Sequence, residues 1–196
     1  YKDGILTQAA TRGDGFTGED VTENVKTIKD IPWNIKSYFE KQGIPVPPRL
    51  EVRGEVFMTH KVFEELNKQA ELRNEKKYVN PRNAASGSLR NLDPKVTASR
   101  KLSFFTYALG VCEKFNTPDN HYDTLQLLKE IGLPVSDLSN KVLGKQGLLD
   151  YYKKIGDMRD SLPFDIDGVV YKVNDYGLQE EWGFLNREPK WAKAHK

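Results

Sequence analysis

The sequence predicts an α+β fold with mostly antiparallel sheets, and three observations carry that prediction. Apolar residues recur at helical spacing in some stretches and alternate in others; the two kinds are mixed without strict strand–helix–strand succession; and glycine- and proline-bearing turns lie between them. The 196 residues are expected to form a single domain, and 38% hydrophobic content is enough to bury a core. Lys and Arg total 30 against 28 Asp and Glu, a net charge of +2. That balance excludes a simple basic DNA-coating protein while leaving local cationic patches open. The single cysteine, Cys112, excludes an internal disulfide and a multi-cysteine zinc site, and reads as a small core residue in a reducing compartment. No apolar run reaches the roughly 20 residues of a membrane span. The first residues include neither an initiator methionine nor a signal peptide, so the chain is expected to be the middle of a longer protein.

The elements follow in order. Asp3-Gly4 predicts a hairpin turn, and Ile5 to Thr11 a strand running into the glycine-rich turn Arg12-Gly13-Asp14-Gly15. Thr17 and Asp20 fit a capping box for a helix over about 18–27. Pro45, Pro47 and Pro48 mark an extended connector before a strand at Leu50 to Phe57, with Glu51, Arg53 and Glu55 on one face. Thr59 caps a helix whose apolar stripe is Val62, Phe63, Leu66 and Ala70, and residues 71–81 read as a loop. Arg82 to Leu92 predicts a short helix closed by Asp93-Pro94, and Leu102 to Val111 a buried strand. His121 to Ile131 is an amphipathic helix stopped by Gly132 and Pro134, followed by a helix near 145–156. Phe164 to Val173 predicts a strand with Gly168 inside it, and Pro189 to Lys196 alternates as another.

Four segments place polar residues within apolar strands, where burial is costly without a partner. They are Ala10 to Gly15, Glu51 to Glu55, Asp165 to Val173 and Pro189 to Lys196. Each also fits a plain structural role, as a tight turn, a cross-strand charge pattern, a solvated strand end or a basic edge strand. Gly54 weakens a strand unless something approaches its backbone closely. In a regular strand Asp167 and Lys172 face opposite sides, so either Gly168 marks a bulge or only one of the two lines a pocket.

Taken in order, Ala10-Thr11-Arg12-Gly13-Asp14-Gly15, Leu50-Glu51-Val52-Arg53-Gly54-Glu55-Val56-Phe57, Asn80-Pro81-Arg82-Asn83-Ala84-Ala85-Ser86-Gly87-Ser88-Leu89-Arg90, Phe104-Phe105-Thr106-Tyr107, Phe164 to Val173 and Pro189-Lys190-Trp191-Ala192 resemble the adenylation domain of bacterial NAD-dependent DNA ligases. The resemblance runs from Ala10 to Lys196 and implies a nucleotidyltransferase fold. It implies that a lysine attacks the α-phosphate of NAD, that nicotinamide mononucleotide leaves, and that the bound AMP passes to a DNA 5′-phosphate to seal a nick. On this basis Lys172, Lys196 and Asp167 are the candidate catalytic residues. Arg12, Glu55, Tyr107, Lys172 and Lys196 are expected to hold the nucleotide, Glu55 through the ribose hydroxyls and Tyr107 by stacking on adenine. Arg82 and Arg90 are expected at DNA or nucleotide phosphates. NAD and Mg2+, with Asp167 facing the metal or a lysine, nicked double-stranded DNA as partner, a monomeric state and the bacterial cytoplasm are further implications; no metal ligands follow from it. A non-catalytic fragment that binds adenine nucleotide or DNA, and a relative of ATP-dependent ligases or capping enzymes, are the alternatives.

The chain also departs from the family. The nucleophile's Lys-x-Asp-Gly signature is absent, and Lys2-Asp3-Gly4 lacks the intervening residue. The attacking lysine is therefore expected before residue 1, as is the segment that grips nicotinamide mononucleotide. The OB-fold, zinc module and later domains are expected after residue 196, leaving residues 1–196 as part of one adenylation domain, unable to adenylate itself. Lys193 and His195 stand where the family places an aliphatic and an aromatic residue, so that face is expected to be exposed or the end distorted.

Overall fold

The computed structural model describes all residues 1–196 as a mixed fold of eight helices and three two-stranded antiparallel sheets. Asp3 and Gly4 both take positive φ, 47° and 78°, and Lys2 and Ile5 exchange two backbone hydrogen bonds across them, which is the predicted turn. Ile5 to Thr11 is not a regular strand. It runs extended with single bridges, Ile5 to Asn34 and Ala10 to Asp20, because no neighbour lies alongside for more than a residue. Helix α1 is only Thr22–Val25, shorter than expected. Thr17 does not cap it; the Asp20 carboxylate does part of that work by accepting from the Thr22 amide at 2.9 Å. Helix α2, Lys36–Gln42, had no strong sequence signal and ends at Gly43 in the left-handed conformation.

Strand β1 is Leu50–Phe57, as expected. Helix α3, His60–Leu72, starts at the predicted Thr59 cap, and its stripe of Val62, Phe63 and Leu66 packs on the main core. Asn80 caps helix α4, Pro81–Leu89, with Pro81 in the first turn, where its missing N–H costs nothing. Asp93 caps a further helix, α5 (Pro94–Ser99), so Asp93-Pro94 opens a helix as well as closing one. Strand β2 is Ser103–Cys112 and is half-buried, since only Thr106 is fully enclosed. Helix α6, His121–Ile131, stops at Gly132 with φ 111°, and helix α7 is Gly144–Met158.

Residues 164–196 are more broken than their alternation predicts. Strand β3 covers only Val169–Lys172, followed by helix α8, Tyr176–Trp182. Strands β4 (Phe184–Leu185) and β5 (Glu188–Pro189) form a small hairpin, and β6 is Ala192–His195. The predicted single strand from Pro189 is thus split by a turn at Lys190 and Trp191. Gly168 explains the shortened β3. Its φ is 155°, and a Cβ there would lie 2.3 Å from the His195 carbonyl oxygen, so the chain can enter the β3–β6 ladder only through glycine.

Three apolar clusters form the core. The largest joins Leu6, Val21, Ile28 and Ile31 to Met58, Ala84 and Leu102 beneath the β1–β2 sheet. The others centre on Phe39 and Leu128, on either side of α6, and the Tyr1 ring packs against all three. Cys112 is half-buried beside the Phe39 cluster, and burial raises its thiol pKa. No helix is long and apolar enough to cross a membrane.

Candidate functional site

The site is built on a mismatch between β1 and β2. Strand β1 has eight residues and β2 has ten, so the ladder contains two irregularities. Arg53 pairs with Ala108 and Gly54 with Thr106, which leaves Tyr107 as the extra residue of a bulge. A bulge frees backbone groups, and both find partners outside the sheet. The Thr106 amide donates to the Pro134 carbonyl at 2.7 Å, and the Tyr107 carbonyl lies 2.8 Å from His121 Nε2. A carbonyl only accepts, so His121 must carry its proton on Nε2. The side chain of Tyr107 is left 44% exposed.

Alternation puts Gly54 and Val56 toward the core and Arg53, Glu55 and Phe57 on the opposite, open face. Glu55 is exposed there and pairs with Phe105 across the ladder, and the Phe105 ring stacks on Phe57 at 4.8 Å. The close approach expected at Gly54 comes from the protein itself. A Cβ would sit 2.1 Å from the Phe104 ring, so glycine is required on the core side and not for a ligand.

Strand β3 brings Lys172 to the open face. Its exit is fixed on α6: the Asn174 carbonyl accepts from the His121 amide at 2.9 Å, and Asn174 Oδ1 accepts from the Tyr122 amide at 2.8 Å. Lys172 Nζ consequently lies 5.3 Å from the centre of the Tyr107 ring, a cation–π distance. Burial lowers the Lys172 pKa from its ordinary 10.5. His121 is lowered from 6.5, first by burial and then by the charge of Lys172, against a smaller raising effect of the Tyr107 carbonyl. Lys172 makes no ion pair with any carboxylate. A partly desolvated ammonium with an aromatic face and no counter-charge is a place for an anion joined to a flat ring.

The remaining candidates divide into two groups. Lys196 would fall opposite Gly168 on the β3–β6 ladder and shares the strand parity of Lys172. Four residues separate Gly168 from Lys172, about 13 Å at strand spacing. Arg12 is exposed in the glycine-rich turn, without an ion-pair partner. Asp167 lies outside β3 and pairs with Arg82 at 3.1 Å instead of facing Lys172, because Gly168 turns the chain between them. Arg90 grips Glu19 with two bonds, 2.7 Å and 2.6 Å. The structure thus brings Tyr107 and Lys172 together, with Glu55 on the same sheet face, and ties both DNA-candidate arginines to carboxylates.

His121 is the residue that sequence reading missed. It appeared only as the first residue of an amphipathic helix, and its contact with Tyr107 depends on a bulge that no alternation pattern reveals. Two cavities, of about 660 and 520 Å³, lie elsewhere. The first is lined by Glu19, Asn24 and Arg90 and the second by His60, Asp165 and Asp167; Tyr107 and Lys172 line neither. No three His, Cys, Asp or Glu side chains converge into a group able to hold a metal ion. The family model for the NAD-dependent DNA ligase adenylation domain matches residues 1–196, the whole chain.

Proposed function

The chain belongs to the NAD-dependent DNA ligase adenylation domain family, and from that premise we propose that the open face of β1–β2 holds the adenylyl half of NAD for transfer to nicked DNA. The single observation that carries this reading is Lys172, partly desolvated, without a carboxylate partner, over the exposed Tyr107 ring. Adenine stacks on Tyr107, whose backbone His121 holds in place. Glu55 accepts from the ribose hydroxyls. Lys172, Lys196 and Arg12 surround the α-phosphate, where negative charge grows as the attacking lysine nitrogen bonds to phosphorus and the bond to the nicotinamide mononucleotide oxygen breaks. The nucleotidyltransferase fold follows from the same family membership. The NAD-dependent match also sets aside the ATP-dependent and capping-enzyme alternative.

Magnesium takes most of its ligands from phosphates and water. The side chains here offer no cage for it, and Asp167 is engaged with Arg82. When bound, the ion would neutralise phosphate charge. For the DNA step, Arg82 and Arg90 exchange Asp167 and Glu19 for phosphates of a nicked duplex, a guanidinium being well shaped for either partner. A monomeric enzyme of the bacterial cytoplasm completes the reading.

A second reading is that residues 1–196 bind nucleotide or DNA without transferring AMP on their own. No lysine among these residues stands in a Lys-x-Asp-Gly pattern. Lys2 precedes a tight turn directly and bridges Ile5 and Arg49. Intact mass before and after incubation with NAD and magnesium separates the readings' common ground from error. The polypeptide is expected to bind NAD and keep its mass, and an adenylyl adduct on Lys2 would overturn the assignment of the first four residues.

A further inference from the structure

The end of β6 is held by a clamp that the nucleotide reading does not use. On the ladder, Tyr171 pairs with Lys193 and Val169 with His195, so Tyr171 and His195 share the face turned away from Lys172. That face meets α7. The Tyr152 ring of α7 stacks on the His195 imidazole at 3.7 Å with only 7° between the planes. Tyr171 reaches the other side: its hydroxyl lies 2.8 Å from His195 Nδ1 and donates a longer bond, 3.4 Å, to the Leu148 carbonyl of α7. The Tyr152 hydroxyl then donates to the Lys196 carbonyl at 3.0 Å. Gly168 closes the third side, since a Cβ on it would come within 2.7 Å of the Lys196 Cα.

These contacts explain how the alternation at the chain's end is reconciled with a histidine and a lysine on one face. Lys193 stays exposed, while His195 is half-buried between two tyrosines. The Tyr152 hydroxyl and Gly168 thus fix the backbone that carries the Lys196 ammonium. A lysine whose backbone is already fixed loses less freedom on meeting a phosphate.

We propose that Tyr152 and His195 are positioning residues that set Lys196 at the nucleotide phosphate. Tyr152 acts through the Lys196 carbonyl and through the stacked imidazole, and touches no part of the nucleotide itself. The proposal rests on Lys196 being a phosphate contact, as set out above, and its test keeps the two failures apart.

The experiment measures dissociation constants of adenosine and of AMP by titration calorimetry on this chain and on Tyr152→Ala, Tyr152→Phe and Lys196→Ala, with a thermal melt of each. Tyr152→Ala is expected to weaken AMP by about two- to tenfold, the range a single intramolecular hydrogen bond commands, and to leave adenosine unchanged. Tyr152→Phe keeps the stack on His195 and loses only the hydroxyl, so its AMP loss is expected to be smaller and of the same selectivity. Combining Tyr152→Ala with Lys196→Ala is expected to add nothing to Lys196→Ala alone. If Lys196→Ala weakens AMP selectively and neither Tyr152 variant does, the clamp is refuted while the phosphate reading stands. If Lys196→Ala leaves AMP unaffected, the phosphate reading of Lys196 falls and takes the clamp's purpose with it. Equal losses for adenosine and AMP in Tyr152→Ala would mean general damage and overturn the positioning role.

Discussion

Residues 1–162 contain every one of the 28 buried residues, and residues 163–196 contain none. The first region is a packed body that carries Glu55 and Tyr107. The second, which carries Asp167, Lys172 and Lys196, is held by hydrogen bonds and half-buried rings at a few points. Phe164 docks edge-on to Phe57 at 5.2 Å, Asn174 sits on the start of α6, and His195 is stacked on α7. On the proposed reading, the base and ribose contacts, with Arg12, would rest on the packed body, while the two phosphate lysines, Lys172 and Lys196, would rest on a segment that buries no residue fully. Such a division suits a site whose phosphate chemistry changes between steps, since weakly held segments can move without unfolding the body.

The largest effects expected from this contrast are on stability. Phe39 is fully buried, and Phe39→Ala is expected to cost about 3–5 kcal/mol in denaturant unfolding. Phe184, 59% exposed, is expected to change stability by about 0.5 kcal/mol or less on the same substitution. Comparable losses at the two positions would erase the distinction between the regions. Next in size are the glycines. Gly54→Ala forces a methyl into the Phe104 ring and is expected to cost about 1–3 kcal/mol. Gly168→Ala meets the His195 carbonyl instead. It is expected to weaken AMP binding more than it lowers the melting temperature, and the reverse order would place the segment in the cooperative core.

The smallest effect is electrostatic. Because burial and Lys172 hold His121 below its ordinary 6.5, the unfolded chain binds more protons than the folded one as pH falls through 6.5. Stability present above that pH is therefore lost as it drops toward the folded value. In NMR titration, Lys172→Met is expected to return His121 only part of the way, since burial is the larger cause. An unchanged titration would mean that Lys172 does not face His121.

How legible all this was in the sequence depended on how local each signal is. Strand β1, the Thr59 cap and α6 with its Gly132 stop follow from alternation, capping and helical period, all within a few residues, whereas the Asn80 cap falls in a stretch that reads as loop. The short helices α2, α5 and α8 carry no strong local signal, and β3 and β6 are shorter than their alternation predicts because their ends are set by distant contacts such as Gly168 against His195. The candidate residues came from the family resemblance, and spacing alone left each segment an ordinary structural role. What no local pattern contained was the Tyr107 bulge, a difference in length between strands some 50 residues apart, and with it the role of His121. The two-tyrosine packing of His195 is equally invisible, since Tyr152 and Tyr171 approach it from distant elements.

The most direct test of the central claim is the affinity of NAD for this chain against that of its Lys172→Met variant, which keeps the length and apolar stem and removes the charge. A charge-assisted phosphate contact predicts a loss of about tenfold or more, with adenosine affinity little changed and the fold intact by thermal melt. Equal NAD affinity in the two proteins would mean that the desolvated lysine over Tyr107 is not where the phosphate binds, and would contradict the account.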